Sequence, residues 1–228
     1  MSAELKPPRG RRSWIILAVI LVGAAIVAAV VVYSANQSPR TTTSSDFPTP
    51  DATVSADPGA QPTGCLGGSA RDADMLLSAQ ASAPHTTTGA IEVAAAMVRW
   101  IHRSPLPSAE EANLVQASVL TNDRAFVADL PTYLAGNPDF RYGLFEDDQD
   151  FYMSTINGVW ILDSASPDAV TVTVGTNYVI DGALSPRYVA SLTMDIEWED
   201  GRWRVGDAYG KRTTETLFAA GTHFTEGC

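Results

Sequence analysis

A chain that carries about twenty consecutive apolar residues behind a basic tip has few ways to hide them from water. Trp14 to Tyr33 reads WIILAVILVGAAIVAAVVVY, with no charge and no proline. At ~1.5 Å per residue, such a run covers the ~30 Å hydrocarbon core of a bilayer. Backbone groups in that core find no water, so a single span must be helical. Trp14 and Tyr33 stand at its two ends, where amphipathic rings favour the membrane interface. Lys6, Arg9, Arg11 and Arg12 precede the run, and Arg40 is the one basic residue shortly after it. The distribution of positive charge predicts residues 1–13 in the cytoplasm and the rest of the chain, beyond 14–33, outside. A cleaved signal peptide would need a shorter apolar region and a small-x-small site. Here the nearest such site, Tyr33-Ser34-Ala35, carries a ring where a small residue belongs. Cys65 lies too far beyond the run for lipoprotein attachment. The expected partner of residues 14–33 is the lipid bilayer.

The exported part is strongly acidic. The chain has 15 basic and 26 acidic residues, of which four basic ones and Glu4 precede the span. Binding to nucleic acid requires clustered Lys and Arg that displace counterions. An acidic ectodomain repels phosphate backbones, so no nucleic-acid partner is expected.

Residues 34–64 are dense in Ser, Thr, Pro, Asp and Gly. Too little apolar surface is available there to offset ordering entropy, which predicts a disordered extracytoplasmic linker. Asn36-Gln37-Ser38 matches a glycosylation acceptor, a motif short enough to occur by chance. Residues 65–228 have room for one ordinary domain. The two cysteines, Cys65 and Cys228, fall near its limits. Export permits a disulfide between them, and a bridge closing so long a loop would contribute up to ~4–5 kcal/mol. Free thiols and bridges between protomers are the alternatives.

Residues 65–88 read ambiguously, with a short apolar patch around Met75–Leu77. Gly89 to Arg103 shows helical spacing through Ile91, Ala94, Ala95, Val98 and Ile101, and Ser104-Pro105 ends it. Ser108 and Glu111 form a capping box for a second helix. A third is expected from Asp123 to about Ala135, broken near Pro131.

Strands follow Gly136. Asn157-Gly158, between YMSTI and VWILD, predicts a two-residue hairpin turn. Ala169 to Ile180 alternates, with Val170, Val172, Val174, Tyr178 and Ile180 on one face and Thr171 and Thr173 on the other. A strand is also expected over 187–199. Asp200-Gly201 closes the last hairpin, so that Trp198 faces Trp203, Glu199 faces Arg202 and Glu197 faces Arg204. The tryptophans share a side with Ile196 and Val205, and both charge pairs take the opposite side. Together these elements predict an α+β fold, three N-terminal helices packed on a strongly curved antiparallel sheet.

The layout of anchor, polar linker, three helices and a sheet ending in Trp198-Glu199-Asp200-Gly201-Arg202-Trp203-Arg204-Val205 resembles a known group. It is similar to the cone-shaped, nuclear-transport-factor-like ectodomains of bitopic scaffold subunits in type IV secretion and conjugal-transfer machines. Membrane proteins associated with actinobacterial lipid uptake share the layout. The resemblance implies self-association and contact with other membrane or channel proteins, without chemistry.

The sequence offers little chemistry of its own. His102 ends a helix, where a cation would complement the dipole; His85 and His223 read as solvated. No zinc spacing, nucleophile elbow or phosphate loop occurs. Glu146-Asp147-Asp148-Gln149-Asp150 fails the calcium-loop pattern, because Tyr152 and Gly158 stand where Gly and Glu are required. Gly64 to Gly68 reads as a turn around Cys65. Asp195, a candidate for an acid inside a cone, falls on the polar face by alternation. No catalytic residue, cofactor or metal is therefore expected. The function expected is that of a membrane-anchored scaffold subunit; the alternatives are a lipid or small-molecule binding module and an exported enzyme.

Overall fold

The computed structural model describes residues 60–137 and 140–228. The expected basic tip, the span 14–33 and the linker as far as residue 59 lie outside the described residues. Among the described residues no helix is long and apolar enough to cross a membrane.

Among the described residues, four helices precede the sheet rather than three. The ambiguous stretch contains α1, Ala73–Ser82, started by the Asp72 side chain accepting from the Met75 amide. Its Met75, Leu76 and Ala79 are buried, and short amphipathic helices of this kind draw their stability from tertiary packing more than from local pattern. The central helix α2, Thr87–Ile101, is buried at every position from Gly89 to Ile101. This all-round burial explains its apolar character on every face. Helix α3, Ala109–Ser118, begins with the expected capping box. The Glu111 carboxylate also takes two bonds from Arg103 Nη2 (2.7 and 2.8 Å) and one from the Ala73 amide (3.2 Å). One cap thus ties α1, the end of α2 and α3 together. Helix α4 is only Leu130–Gly136, capped by Asp129, with Pro131 in its first turn. Proline suits that position because its missing N–H has no intrahelical partner there. Pro131 therefore starts this helix instead of breaking a longer one.

The sheet has the order β4-β3-β2-β1-β5, with every pairing antiparallel. Strand β1 runs unbroken from Phe151 to Ala165, so Asn157-Gly158 is no hairpin turn. Ser154 opposes Asn177 and Val159 opposes Gly175, leaving four β1 residues against one of β2. Asn157, at φ 56°, sits in this bulge. A bulge and a tight turn make the same local demand for positive φ, so Asn-Gly signals either. The real turns are Asp181-Gly182, between β2 (Ala169–Ile180) and β3 (Ala183–Glu199), and Asp200-Gly201, between β3 and β4 (Arg202–Tyr209).

The last hairpin has the expected register: Glu199 with Arg202, Trp198 with Trp203, Glu197 with Arg204, Ile196 with Val205. Its charge pairs are different. Arg204 is 8% exposed and donates to Leu120 O (2.9 Å), with Glu199 and Asp200 at 3.7 and 3.8 Å, while Glu197 pairs with Arg124 at 2.9 Å. The cause is the segment after α3, which bonds along the outer edge of β4 through Val119, Thr121 and Phe126. It covers a face that alternation alone assigns to solvent.

The chain after Tyr209 closes the other face of the sheet. Helix α5, Thr214–Ala220, buries Leu217 against Gly175, where an added Cβ would lie 2.9 Å from Leu217 Cδ2. Thr173 and Thr193 are fully buried there, and Thr173 Oγ1 donates to the Asp163 carboxylate (2.6 Å). Lys211 and Arg212 also meet Asp163, at 2.9 and 2.5 Å. The polar face of the sheet is a covered polar layer, with Thr173 and Thr193 at its centre.

Strand β5, Thr222–His223, leads into the clamp that holds the two limits of the domain. Cys65 and Cys228 are bonded, with Cα atoms 5.2 Å apart across a sequence separation of 163. Pro62 and Thr63 carbonyls accept from Thr225, Glu226 and Gly227, so residues 60–64 belong to the folded domain and not to the linker. Reduction should lower the denaturation midpoint, by up to ~4–5 kcal/mol on the loop-closure account. Thiol counting on denatured, unreduced protein should find none reactive; two reactive thiols would overturn the bond.

Candidate functional site

The carboxyl-terminal end of α2 meets the inner face of the sheet over two adjoining apolar hollows. One, of about 110 Å³, is lined by Met97, Ile101 and His102 of α2, Met194 of β3 and Val205 of β4, with Phe126, Tyr133 and Phe140 closing the side. The other, of about 220 Å³, is bounded by Val98, Met153, Thr176 and Ala190. His102, Tyr142 and Leu192 line both. Tyr142 is 67% exposed and Tyr133 37%, so aromatic side chains stand at the rim. Among the described residues no Asp, Glu, Lys or Arg lines either hollow.

His102 is the one ionisable imidazole here, and its state is fixed by geometry. Nδ1 lies 3.3 Å from the Val98 carbonyl, an acceptor only, so Nδ1 carries the proton. Burial, the larger influence, pushes the ring down to about 4, against the bond to Val98 that favours the cation. His102 is therefore neutral near pH 7 and does not complement the helix dipole as a cation. Phe140 stands edge-on to it at 4.9 Å. Because the unfolded ring protonates near its ordinary 6.5 and the folded ring near 4, the unfolded state binds more protons between them. The His102 contribution is steady above pH 6.5 and turns increasingly unfavourable as pH falls to about 4. Denaturant midpoints should fall across that window less steeply in His102→Gln than in the unaltered protein; parallel slopes would show the ring to be solvated.

The sequence-chosen residues lie elsewhere. Cys65 and Cys228 come together at the clamp. Trp198 and Trp203 come together at 5.2 Å, away from the hollows, joined by the Asp200-Gly201 turn. His85, expected to be solvated, is exposed, and its ring stacks on Trp198 at 3.9 Å and bonds Asp168 at 2.9 Å. Loop 83–86 is held beside the hairpin by Trp203 Nε1 donating to Pro84 O (2.8 Å), and this places the ring. Asp195 accepts from Thr171 Oγ1 (2.7 Å) and stays outside the hollows. The acidic run 146–150 is anchored to the β2–β3 turn, Gln149 Nε2 and the Asp150 amide both donating to Asp181. Among the described residues no group of His, Cys, Asp and Glu is arranged to hold a metal ion. Tyr133, Phe140 and Tyr142 had no motif to mark them, since they converge from α4 and the loop that follows it.

Gly64 to Gly68, read as a turn around Cys65, is held by two buried charges of α2. Glu92 accepts from Thr63 Oγ1 (2.7 Å) and the amides of Thr63, Gly64 and Leu66. Arg99 donates to Gly68 O (2.7 Å) and Leu66 O (2.8 Å). Burial lowers Arg99 to about 10, which leaves it charged at neutral pH.

No protein-family model, curated protein or solved structure gives a significant match to this chain.

Proposed function

We propose that the chain is a single-pass membrane protein whose extracytoplasmic α+β domain acts by protein contact, as a scaffold subunit of a conjugation or secretion apparatus. The apolar run 14–33 and the acidic composition beyond it support the topology. The observation that carries the contact role is the placement of clamp and rim on α2. The clamp of residues 62–65 and 225–228 binds α2 at Glu92. The hollows with Tyr133 and Tyr142 at their rim lie at His102, ten residues or roughly 15 Å further along the axis. The domain thus carries its disulfide clamp near one end of its central helix and exposed aromatic groups near the other, and aromatic residues are enriched where proteins meet. The cone-like form implied by the resemblance belongs to the same reading, although α5 covers the face of the sheet opposite α2.

The test is recovery of the full-length protein from native membranes in mild detergent, with mass spectrometry of proteins and lipids together. Co-purification of a transfer ATPase or other channel components, lost in Tyr142→Ala, is the expected result. A stoichiometric lipid without partner proteins would replace this reading with the binding module.

A further inference from the structure

We propose that the hollows at the end of α2, with the loop 140–150 beside them, dock a basic segment of a partner protein, one that joins an apolar side chain to clustered lysine or arginine. The proposal rests on the contact reading above and adds the chemistry of the partner.

The loop is held in place from within. Phe140 is buried, and Phe145 packs against Phe151 and Tyr178 at 5.3 and 5.6 Å. Arg141 donates to the Asp147 carbonyl and stands 3.7 Å from its carboxylate, and the Glu146 amide donates to Gln149 Oε1 (3.1 Å). Tyr142 and Leu144 are left 67% and 39% exposed. Glu146, Asp147, Asp148 and Asp150 are exposed just after them. Asp150 leads into Phe151, whose carbonyl accepts from the Ser104 amide (2.7 Å), two residues beyond His102. The carboxylates therefore adjoin the end of α2 on which the hollows open.

Charge identifies the occupant. Arg141 is the single cation between residues 140 and 150, against four carboxylates, and Asp181, bonded to Gln149 and the Asp150 amide, adds a fifth. Among the described residues the Glu146 and Asp148 carboxylates have no hydrogen bond or ion pair, and no acidic group is arranged to hold a metal ion. Crowded like charges repel, and lysine or arginine of a partner relieves that repulsion while steering the encounter. The apolar walls, including Met97, Met194 and Phe140, then take the apolar side chain of the same segment. An acidic segment would meet like charge at the rim.

The test is photocrosslinking of the full chain in its native membranes, with benzoylphenylalanine in place of Tyr142 and sequencing of the attached peptide. That peptide should carry lysines or arginines clustered close to the attachment point. Raising the salt from about 0.05 to about 0.5 M should cut the yield about fivefold, because exposed charges are then screened within a few ångströms. Glu146→Lys/Asp148→Lys should cut it as much at low salt, and neither carboxylate supports the loop. Asp74→Lys/Glu215→Lys, the same change of charge at exposed positions of α1 and α5, should leave it unaltered. An attached peptide without lysine or arginine, a yield indifferent to salt, or equal losses in the two double variants would overturn the basic partner and leave the contact reading standing. No attached protein at all would overturn both.

Discussion

Replacing Trp203 by alanine should cost ~3–5 kcal/mol, the range for truncating a buried large aromatic. Trp203 is fully buried, and its Nε1 donates to Pro84 O at 2.8 Å. The variant would lose the ring's packing, leave a cavity and strand the Pro84 carbonyl. For a chain of this size the melting temperature should fall by on the order of 10 °C. Trp198→Ala is the informative comparison, because Trp198 is only half-buried, under His85. It should cost distinctly less. Equal losses, or an unchanged melting temperature in Trp203→Ala, would show that the hairpin does not pack as described.

Arg99→Ala should destabilise by a similar ~3–5 kcal/mol, for a different reason. The guanidinium is fully buried and is the donor to Gly68 O and Leu66 O. Bonds to a charged group contribute ~1.5–3 kcal/mol each, and removal leaves two carbonyls unpaired. Glu92, two turns earlier on α2, would then hold the loop alone. Arg99→Met separates packing from charge: it refills the volume yet restores neither bond, so it should recover only a minor part of the loss. Chemical denaturation followed by near-ultraviolet circular dichroism measures both variants. A wild-type midpoint for Arg99→Met would mean that the side chain contributes volume alone.

These two residues also mark how far local reasoning reaches. Trp203 belongs to a hairpin whose turn residues, alternation and partner all lie within eight positions, and its register follows from that short stretch. Arg99 reads locally as a polar interruption of an apolar helix. Its partners lie 31 and 33 residues earlier in a glycine-rich loop, and nothing near Arg99 announces them. Asn157-Gly158 failed as a turn for a related reason. The dihedral demand was local and correct, but whether the chain reversed or merely bulged depended on where β2 paired.

The sequence by itself determined the apolar run, the acid balance beyond it, the helices with clean caps, the alternation of β2 and the final hairpin. Each is a pattern of near neighbours, and near neighbours share a helix face, a strand face or a turn. Only the tertiary structure decided that the polar face of the sheet is covered by α5, that Asp163 gathers Lys211, Arg212 and Thr173 beneath it, and that Arg204 is buried by the segment after α3. It likewise decided the protonation of His102 and the hollows around it, since burial depends on which distant surfaces meet. Periodicity says that a side chain points inward or outward; the long-range fold says what is waiting there.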